Sequence, residues 1–445
     1  MKVDLSFKSI NKLAIPALIA GIAEPIISAT DLAIIGNLPN HSAEAAAAVG
    51  LVSVFLNALI WMLGQSRSAI SAIVSQYLGA GKFEEVKNLP IQAILIIIGI
   101  SVLILGITFP FAREIFSLYN AKGLVLDYCE DYYQIRAIGF PMILITFAIM
   151  GTFRGLQNSY YPMLIALTGL VFNLGLDVVL VFGIDGYIPA LGLKGAAYAS
   201  VISQAVMLVL AFYYLVKKTS VHIKFSLPFN KEIKNLMVMI INLFVRTLAL
   251  NIALNLSSYF AASYGVVYIN AYTIAVNIWF ICAFVIDGYA SAGNMISGKL
   301  YGANDVENLI VLRKKLTKYG LIVGLLLLIF LGAFYYPIGR LYSNNELVRE
   351  QFYNTFWIAI AMQPLCAVAF IYDGMYKGMG KMKTLRNLLL LTTFFGFIPV
   401  LLIANYFDLM LYGIWLAFVV WIFLRGLILK LDFKKTIINE MKQSG

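Results

Sequence analysis

The chain has 445 residues, of which 61% are hydrophobic and 12% are charged, and its formal net charge is +11. Soluble domains carry roughly 25% charged residues, and a chain this apolar cannot hide its surface in aqueous cores of ordinary size. The composition therefore excludes a soluble enzyme, a nucleic-acid binder and a secreted disulfide scaffold, and it indicates an integral membrane protein.

Apolar stretches of about 20 residues cross the hydrocarbon core of a bilayer as helices. A sliding-window reading predicts twelve of them, at 13–36, 44–66, 89–112, 131–153, 160–183, 190–216, 236–263, 267–290, 316–338, 352–375, 384–405 and 409–430. The first stretch is long and no small-residue cleavage site follows it, so we expect a retained span rather than a signal peptide. The predicted fold class is an all-α integral membrane protein.

Lysine and arginine residues concentrate in alternate connections between the spans. If the N-terminus is cytoplasmic, most of the 33 Lys and Arg residues fall on the cytoplasmic side, in groups such as 217–234, 299–318 and 377–386. This is the positive-inside pattern of membrane proteins. It predicts a multi-pass protein of the inner (plasma) membrane with both termini cytoplasmic, and it explains the positive charge without a nucleic-acid partner.

The two halves of the sequence resemble each other at a constant offset of 223 residues. At this offset Gly79-Ala80 aligns with Gly302-Ala303, Pro141 with Pro364, and a G-x-x-[RK]-G motif at 151–155 with one at 374–378. Six spans return the chain to its starting side, so the halves share one orientation, as in transporters that hold substrate between two repeats. We expect two pseudo-symmetric six-helix bundles, an N-terminal lobe at 1–216 and a C-terminal lobe at 236–445, joined by a cytoplasmic linker at 217–235.

Few ionisable residues lie at membrane depth. Within the predicted spans they are Glu24, Asp31, Asp177, Asp287, Asp373, Arg136 and Arg246. A charge near the bilayer centre costs at least about 2.5 kcal/mol, so such residues are functional candidates, although an interfacial position or a structural ion pair is the alternative for any single acid. We treat Asp287 and Asp373 as secondary acidic candidates.

Helical spacing places polar side chains of the N-terminal half on shared faces. Glu24 and Asp31 are two turns apart, Asn173 and Asp177 are one turn apart on the fifth span, and the sixth span contributes Ser200. Sodium ions require clustered oxygen ligands, whereas a proton requires carboxylates, and two nearby acids would titrate as a coupled pair. Asp31, Asn173, Asp177 and Ser200 therefore form a predicted site for H⁺ or Na⁺, with no other metal and no cofactor.

Two prolines interrupt the first span close to these acids. Pro16 and Pro25 each remove a backbone hydrogen bond and permit a kink. They are candidate hinge residues that would link protonation to bending, and a static kink that only shapes a cavity is the alternative.

The sequence resembles the multidrug and toxic compound extrusion (MATE) family, and within it the DinF-like branch. The resemblance covers nearly the whole chain and is carried by AEPIISATDLAIIGNL at 23–38, YQIRAIGFP at 133–141, GTFRGLQNSYYP at 151–162, NLGLD at 173–177 with GAAYAS at 195–200, the segment 287–303, and AFIYDG at 369–374. It departs from the family pattern at Asn294, where many relatives have an acid, and at Asn158-Ser159, which replace an acidic turn.

The resemblance implies a secondary antiporter that exports organic cations and amphipathic drugs by alternating access, in exchange for H⁺ or Na⁺. It implies that Asp31 and Asp177, with Asn173 and Ser200, form the coupling site and that Pro16 takes part in helix bending. We add Glu24 and Tyr133 as substrate-cavity candidates, and we expect a monomer in the lipid bilayer.

A flippase and an intramembrane enzyme are the alternative functions. A lipid-linked oligosaccharide flippase of the same superfamily is the alternative, although such proteins usually have about fourteen spans and more basic cavities. An intramembrane enzyme is disfavoured because the sequence has only two histidines and neither a nucleophile elbow nor a metal triad.

Overall fold

The computed structural model describes residues 3–38, 41–221 and 227–444. These residues form helices joined by short connections, and their one β-bridge pairs Ile184 with Ile188. In chain order the helices are α1 (Phe7–Ile35), α2 (Ser42–Gly64), α3 (Ser66–Gly79), α4 (Leu89–Thr108), α5 (Ala112–Leu118), α6 (Leu124–Gly155), α7 (Tyr160–Phe182), α8 (Gly192–Lys218), α9 (Ile233–Ser263), α10 (Val266–Gly302), α11 (Val306–Ala333), α12 (Tyr335–Tyr342), α13 (Glu346–Ala361), α14 (Gln363–Gly378), α15 (Met382–Thr392), α16 (Ile398–Tyr406), α17 (Met410–Asp432) and α18 (Ile438–Ser444).

Most of these helices belong to twelve candidate membrane spans. Eleven helical segments of the described chain are long and apolar enough to span a bilayer, and the pair α13 and α14, bent by 47° at the break, forms a twelfth if it is one span. The prediction of an all-α protein with twelve transmembrane helices is confirmed. The bend follows from Pro364 at the start of α14, because proline cannot donate the next helical hydrogen bond.

Several helices are longer than the hydrophobic stretch that predicted them. The eighth predicted span ends at residue 290, whereas α10 continues to Gly302, since hydropathy detects only the apolar part of a helix. The ninth was predicted to end at 338, but α11 ends at Ala333 and a separate short helix begins at Tyr335. Pro337 explains this break, because its ring clashes with the carbonyl group four residues earlier in a continuous helix.

The repeat in the sequence corresponds to repeated helix crossings. A Cβ atom on Gly151 would lie 2.5 Å from the carbonyl oxygen of Arg67, and one on Gly374 would lie 2.1 Å from that of Ala290. Gly151 and Gly374 are aligned at the offset of 223 residues, and so are Arg67 and Ala290. The G-x-x-[RK]-G motif therefore marks a close approach of two helix backbones in each half of the chain.

Contacts divide the chain into two compact units. The C-terminal unit contains Val238–Gly445 together with Met1–Leu18 and Ser75–Gly81, and the N-terminal unit contains Ile19–Val74 and Lys82–Met237. The N-terminal segment and the start of α1 belong to the C-terminal unit because Leu5, Ile10 and Ala14 are buried in its apolar core. The predicted coupling residues all lie in the N-terminal unit, whereas Asp287 and Asp373 lie in the C-terminal unit.

Candidate ion-coupling site

Small residues bring α7 and α8 into close contact. A Cβ atom on Gly195 of α8 would lie 2.4 Å from the carbonyl oxygen of Leu180, and one on Gly169 of α7 would lie 2.2 Å from the sulfur of Met207. Small side chains at such positions let helix backbones approach each other in membranes. The polar face of α7 is thereby held against α8 near Ser200.

Four polar side chains meet at this contact and are almost fully buried. Asn173 and Asp177 have no exposed surface, Ser200 is 2% exposed and Asp31 on α1 is 4% exposed. The Ser200 hydroxyl donates to Asp31 Oδ2 at 3.3 Å and accepts from Asn173 Nδ2, also at 3.3 Å. Asp177 lies close enough to Asp31 for the two carboxyl groups to interact. The structure thus brings together the four residues predicted from the sequence as the coupling site.

The site contains acceptor oxygens without matching donors. Among the described residues, no group donates a hydrogen bond to Asp31 Oδ1, to Asn173 Oδ1 or to either carboxylate oxygen of Asp177. A buried acceptor left unpaired costs about 1–3 kcal/mol, and two like charges in a medium of low dielectric repel each other strongly. The arrangement is therefore suited to hold a proton or a small cation, which would supply the missing positive charge.

Sequence reasoning named Arg136 at membrane depth but did not place α6 beside this site. Tyr132 is fully buried, and the guanidinium of Arg136 lies 6.0 Å from the centre of its ring. Arg136 is within electrostatic range of Asp177 and provides a fixed positive charge near the acid pair. The spacing of four residues between Tyr132 and Arg136 placed them on one helix face, but it did not show which helix that face contacts.

The remaining candidates of the N-terminal half lie in different surroundings. Tyr133 is fully buried, donates to Thr108 Oγ1 at 2.6 Å and packs edge-on against Phe55 and Phe116. Pro16 and Pro25 both lie inside the continuous helix α1. The side chain of Glu24 is outside the part of the chain that the structure describes.

The two acids of the C-terminal unit differ sharply from each other. Asp287 is exposed on α10. Asp373 is buried on α14 and faces three basic side chains, with Arg246 at 2.5 Å, Lys377 at 3.0 Å and Arg425 at 3.8 Å. Asp373 is thus already surrounded by positive charge.

Comparison with known proteins identifies the architecture. The family profile MatE matches residues 16–179 and again 242–407, so each half of the chain carries one copy of the same unit. The chain belongs to the MATE family. The two matches are the repeat expected from the sequence, and they make the protein a transporter rather than an enzyme.

Relatives of this MATE chain cover most of its length. DNA damage-inducible protein F of Escherichia coli strain K12 is 25% identical over 429 residues, 95% of this chain and 91% of its own, which confirms the resemblance to the DinF-like branch. Multidrug export protein MepA of Staphylococcus aureus is 22% identical over 407 residues, 90% of this chain and 87% of its own. A crystal structure of MATE in the bent conformation shares the fold, with a TM-score of 0.88 at 22% identity, covering 98% of this chain and 96% of its own.

Proposed function

We propose that this MATE chain is a multidrug efflux antiporter that exports organic cations and amphipathic drugs in exchange for inward H⁺ or Na⁺. The observation that carries the proposal is the buried carboxyl pair of Asp31 and Asp177, three of whose four oxygens lack a donor among the described residues. Support for drug export comes from the relative named as a multidrug export protein. The carboxyl pair supports cation coupling, since burial and a second nearby acid both disfavour the charged form, and no basic side chain of the described residues forms an ion pair with either acid.

The coupling cycle follows from charge neutralisation. In the outward-facing state, H⁺ or Na⁺ occupies the site between Asp31 and Asp177, and this favours release of the drug. In the inward-facing state the ion leaves, and Arg136 partly offsets the charge of the empty pair. Alternating access requires that the ion bind the two states with different affinity, because only a differential affinity can shift a conformational equilibrium.

The direction of transport rests on the charge of the connections. We place both termini in the cytoplasm and the protein in the plasma membrane, because most of the Lys and Arg residues of the connections fall on one side of the twelve spans. We expect a monomer. The location of the termini can be checked by attaching a protease site to either terminus and measuring on which face of sealed vesicles it is cleaved.

The proposal predicts that Asp31→Asn and Asp177→Asn each abolish gradient-driven efflux, because asparagine cannot take up a proton or supply the charge that binds Na⁺. The measurement is efflux of a fluorescent organic cation from proteoliposomes under separately imposed pH and Na⁺ gradients. Asp185→Asn is the matched control, since Asp185 is an exposed loop acid in the same unit.

The outcomes separate the parts of the proposal. Wild-type efflux under one gradient identifies the coupling ion, and loss in both variants but not in the control supports the carboxyl pair. Full gradient-driven efflux by both variants would exclude the pair as the coupling site. The absence of drug efflux by the wild-type protein under either gradient would exclude the antiport function itself.

A further inference from the structure

The C-terminal unit contains a buried charge cluster that the coupling mechanism does not use. We define it as Asp373 and Lys377 on α14, Arg246 on α9 and Arg425 on α17. Arg246 and Lys377 contact different oxygens of Asp373, at 2.5 Å and 3.0 Å, and Arg425 lies 3.8 Å from the first of them. Lys377 is half-buried and the other three residues are buried, with side-chain exposed fractions of 8% for Arg246, 10% for Asp373, 15% for Lys377 and 4% for Arg425.

The charges of this cluster do not balance. Three cations face one carboxylate, and no other acid lies within 4 Å of them in the described parts of the chain. Arg246 Nε is buried and has no acceptor among the described residues. Burying an uncompensated charge costs several kcal/mol, so a cluster with two excess positive charges is poorly explained as a structural ion pair alone.

The two halves of the repeat show that the carboxylate is a feature of the C-terminal half. At the offset of 223 residues Lys377 aligns with Arg154, but Asp373 aligns with the apolar Met150. The basic position is therefore common to both halves, whereas the acid that faces Arg246 is present in one. A carboxylate among three cations can hold them together while leaving most of their charge for a second anion.

The geometry points to a phosphate group as this second anion. We propose that Arg246, Lys377 and Arg425 bind a phosphate, either from the headgroup of an anionic phospholipid or as a free phosphate. Arginine presents planar forked donors that match phosphate oxygens, and lysine adds a mobile point charge. The guanidinium of Arg425 lies 5.0 Å from the ring centre of Trp421 and 5.7 Å from that of Phe370, and these rings constrain its position.

Lys377 provides the approach to the cluster. It is the most exposed member and lies in the last turn of α14, one residue before the helix ends. Its Nζ points back one turn to Asp373, so the cluster lies near the end of α14, on the side of the membrane surface where lipid phosphates and soluble phosphates are both found. Asp373 is about 7.5 Å along α14 from its last residue, at 1.5 Å per residue, so the anion needs only a short path from this helix end.

The test titrates delipidated protein in neutral detergent with short-chain phosphatidylglycerol in one arm and inorganic phosphate in the other. Potassium chloride at matched ionic strength corrects for screening, and the readout is the shift in Tm. A shift in the lipid arm assigns a headgroup, and a shift in the phosphate arm assigns a free phosphate. Lys377→Gln is expected to weaken the apparent affinity about tenfold or more, because a charged hydrogen-bond partner is lost.

Matched variants keep the test decisive. Lys383→Gln removes an exposed lysine from the following helix and should leave the affinity unchanged. Asp373→Asn should increase it, since the competing carboxylate is neutralised, and Arg425→Lys should weaken it while keeping the charge. Asp31→Asn, in the other unit, should have no effect, so this proposal can fail or hold independently of the coupling site. The proposal is overturned if neither probe raises Tm beyond chloride, or if Lys377→Gln responds as the wild type does.

Discussion

At the residue scale, Ser200 on α8 links the candidate acid Asp31 to the polar face of α7. Its hydroxyl donates to Asp31 on α1 and accepts from Asn173 on α7, so one side chain connects three helices. Because its proton is committed to Asp31, Ser200 also fixes the orientation of that carboxylate. The affinity of an ion bound by Asp31 and Asp177 would therefore depend on Ser200, although the two carboxyl groups and not the hydroxyl supply the binding charge.

Ser200→Ala is expected to weaken the apparent affinity for the coupling ion by roughly twofold to tenfold, because a net 0.5–1.5 kcal/mol is typical of one lost hydrogen bond. Efflux should remain at saturating ion concentration, since both carboxyl groups are still present. The measurement is the ion-concentration dependence of the initial efflux rate. Ser203→Ala is the control, because the Ser203 hydroxyl donates only to the carbonyl oxygen of Ser200 in its own helix. Equal effects of the two substitutions would contradict the role given to Ser200.

Residue spacing predicted some of these contacts and missed others for a definite reason. A separation of four residues placed Asn173 and Asp177 on one face of α7, and that inference needs only helix geometry. The surroundings of Asp373 could not be predicted in this way. Lys377 is one turn away on α14, but Arg246 and Arg425 come from α9 and α17, which local spacing does not place beside it. The sequence showed an acid at membrane depth, but tertiary structure was needed to show that three cations surround it.

At the element scale, paired glycines determine how closely the helices of each half can cross. Gly374→Ala places a methyl group 2.1 Å from the carbonyl oxygen of Ala290, so α14 and α10 must separate. We expect a loss of about 1–3 kcal/mol in stability, the usual cost of overpacking, seen as a lower Tm of the purified protein.

Gly99→Ala is the control for this substitution. Gly99 lies within α4 and a Cβ atom there meets nothing within 4 Å. Alanine favours helix over glycine, so Tm should be unchanged or slightly higher. A Tm of Gly374→Ala that matches the wild type would show that the crossing is more tolerant than its geometry indicates.

The prolines of α1 give a second prediction at this scale. If they act as hinges, Pro16→Ala and Pro25→Ala restore backbone hydrogen bonds, stiffen α1 and lower the maximal efflux rate severalfold while leaving ion affinity intact. Initial rates at saturating ion and drug measure this, with Pro189→Ala in an exposed loop as the control. Unchanged maximal rates in both variants would favour a static kink that only shapes the cavity.

Element boundaries show where hydropathy is a sufficient guide. The apolar stretches located all twelve spans, because lipid imposes a minimum length of apolar surface on each crossing. The continuation of α10 beyond residue 290 and the separate helices α5 and α12 were not located, since hydropathy detects only long apolar stretches. The break before α14 was not predicted, because a proline alone does not decide it: Pro364 begins α14 after a break, whereas the aligned Pro141 lies within the unbroken helix α6.

At the scale of the whole molecule, the two halves share an architecture but differ in charge. The N-terminal unit buries a pair of acids with oxygens that lack donors, and the C-terminal unit buries three cations around one acid. Two copies of one fold that bury side chains of opposite charge can bind ions of opposite charge. In our account the first half couples transport to a cation and the second half binds a phosphate group.

The most direct measurement of the central claim is whether a drug gradient alone drives the coupling ion uphill. Proteoliposomes without an imposed ion gradient are given an organic cation on one side, and the internal pH and Na⁺ are followed with indicator dyes. We predict that the wild-type protein moves H⁺ or Na⁺ against the drug flow and that Asp31→Asn and Asp177→Asn do not. Drug movement by the wild-type protein with no movement of either ion would contradict the account.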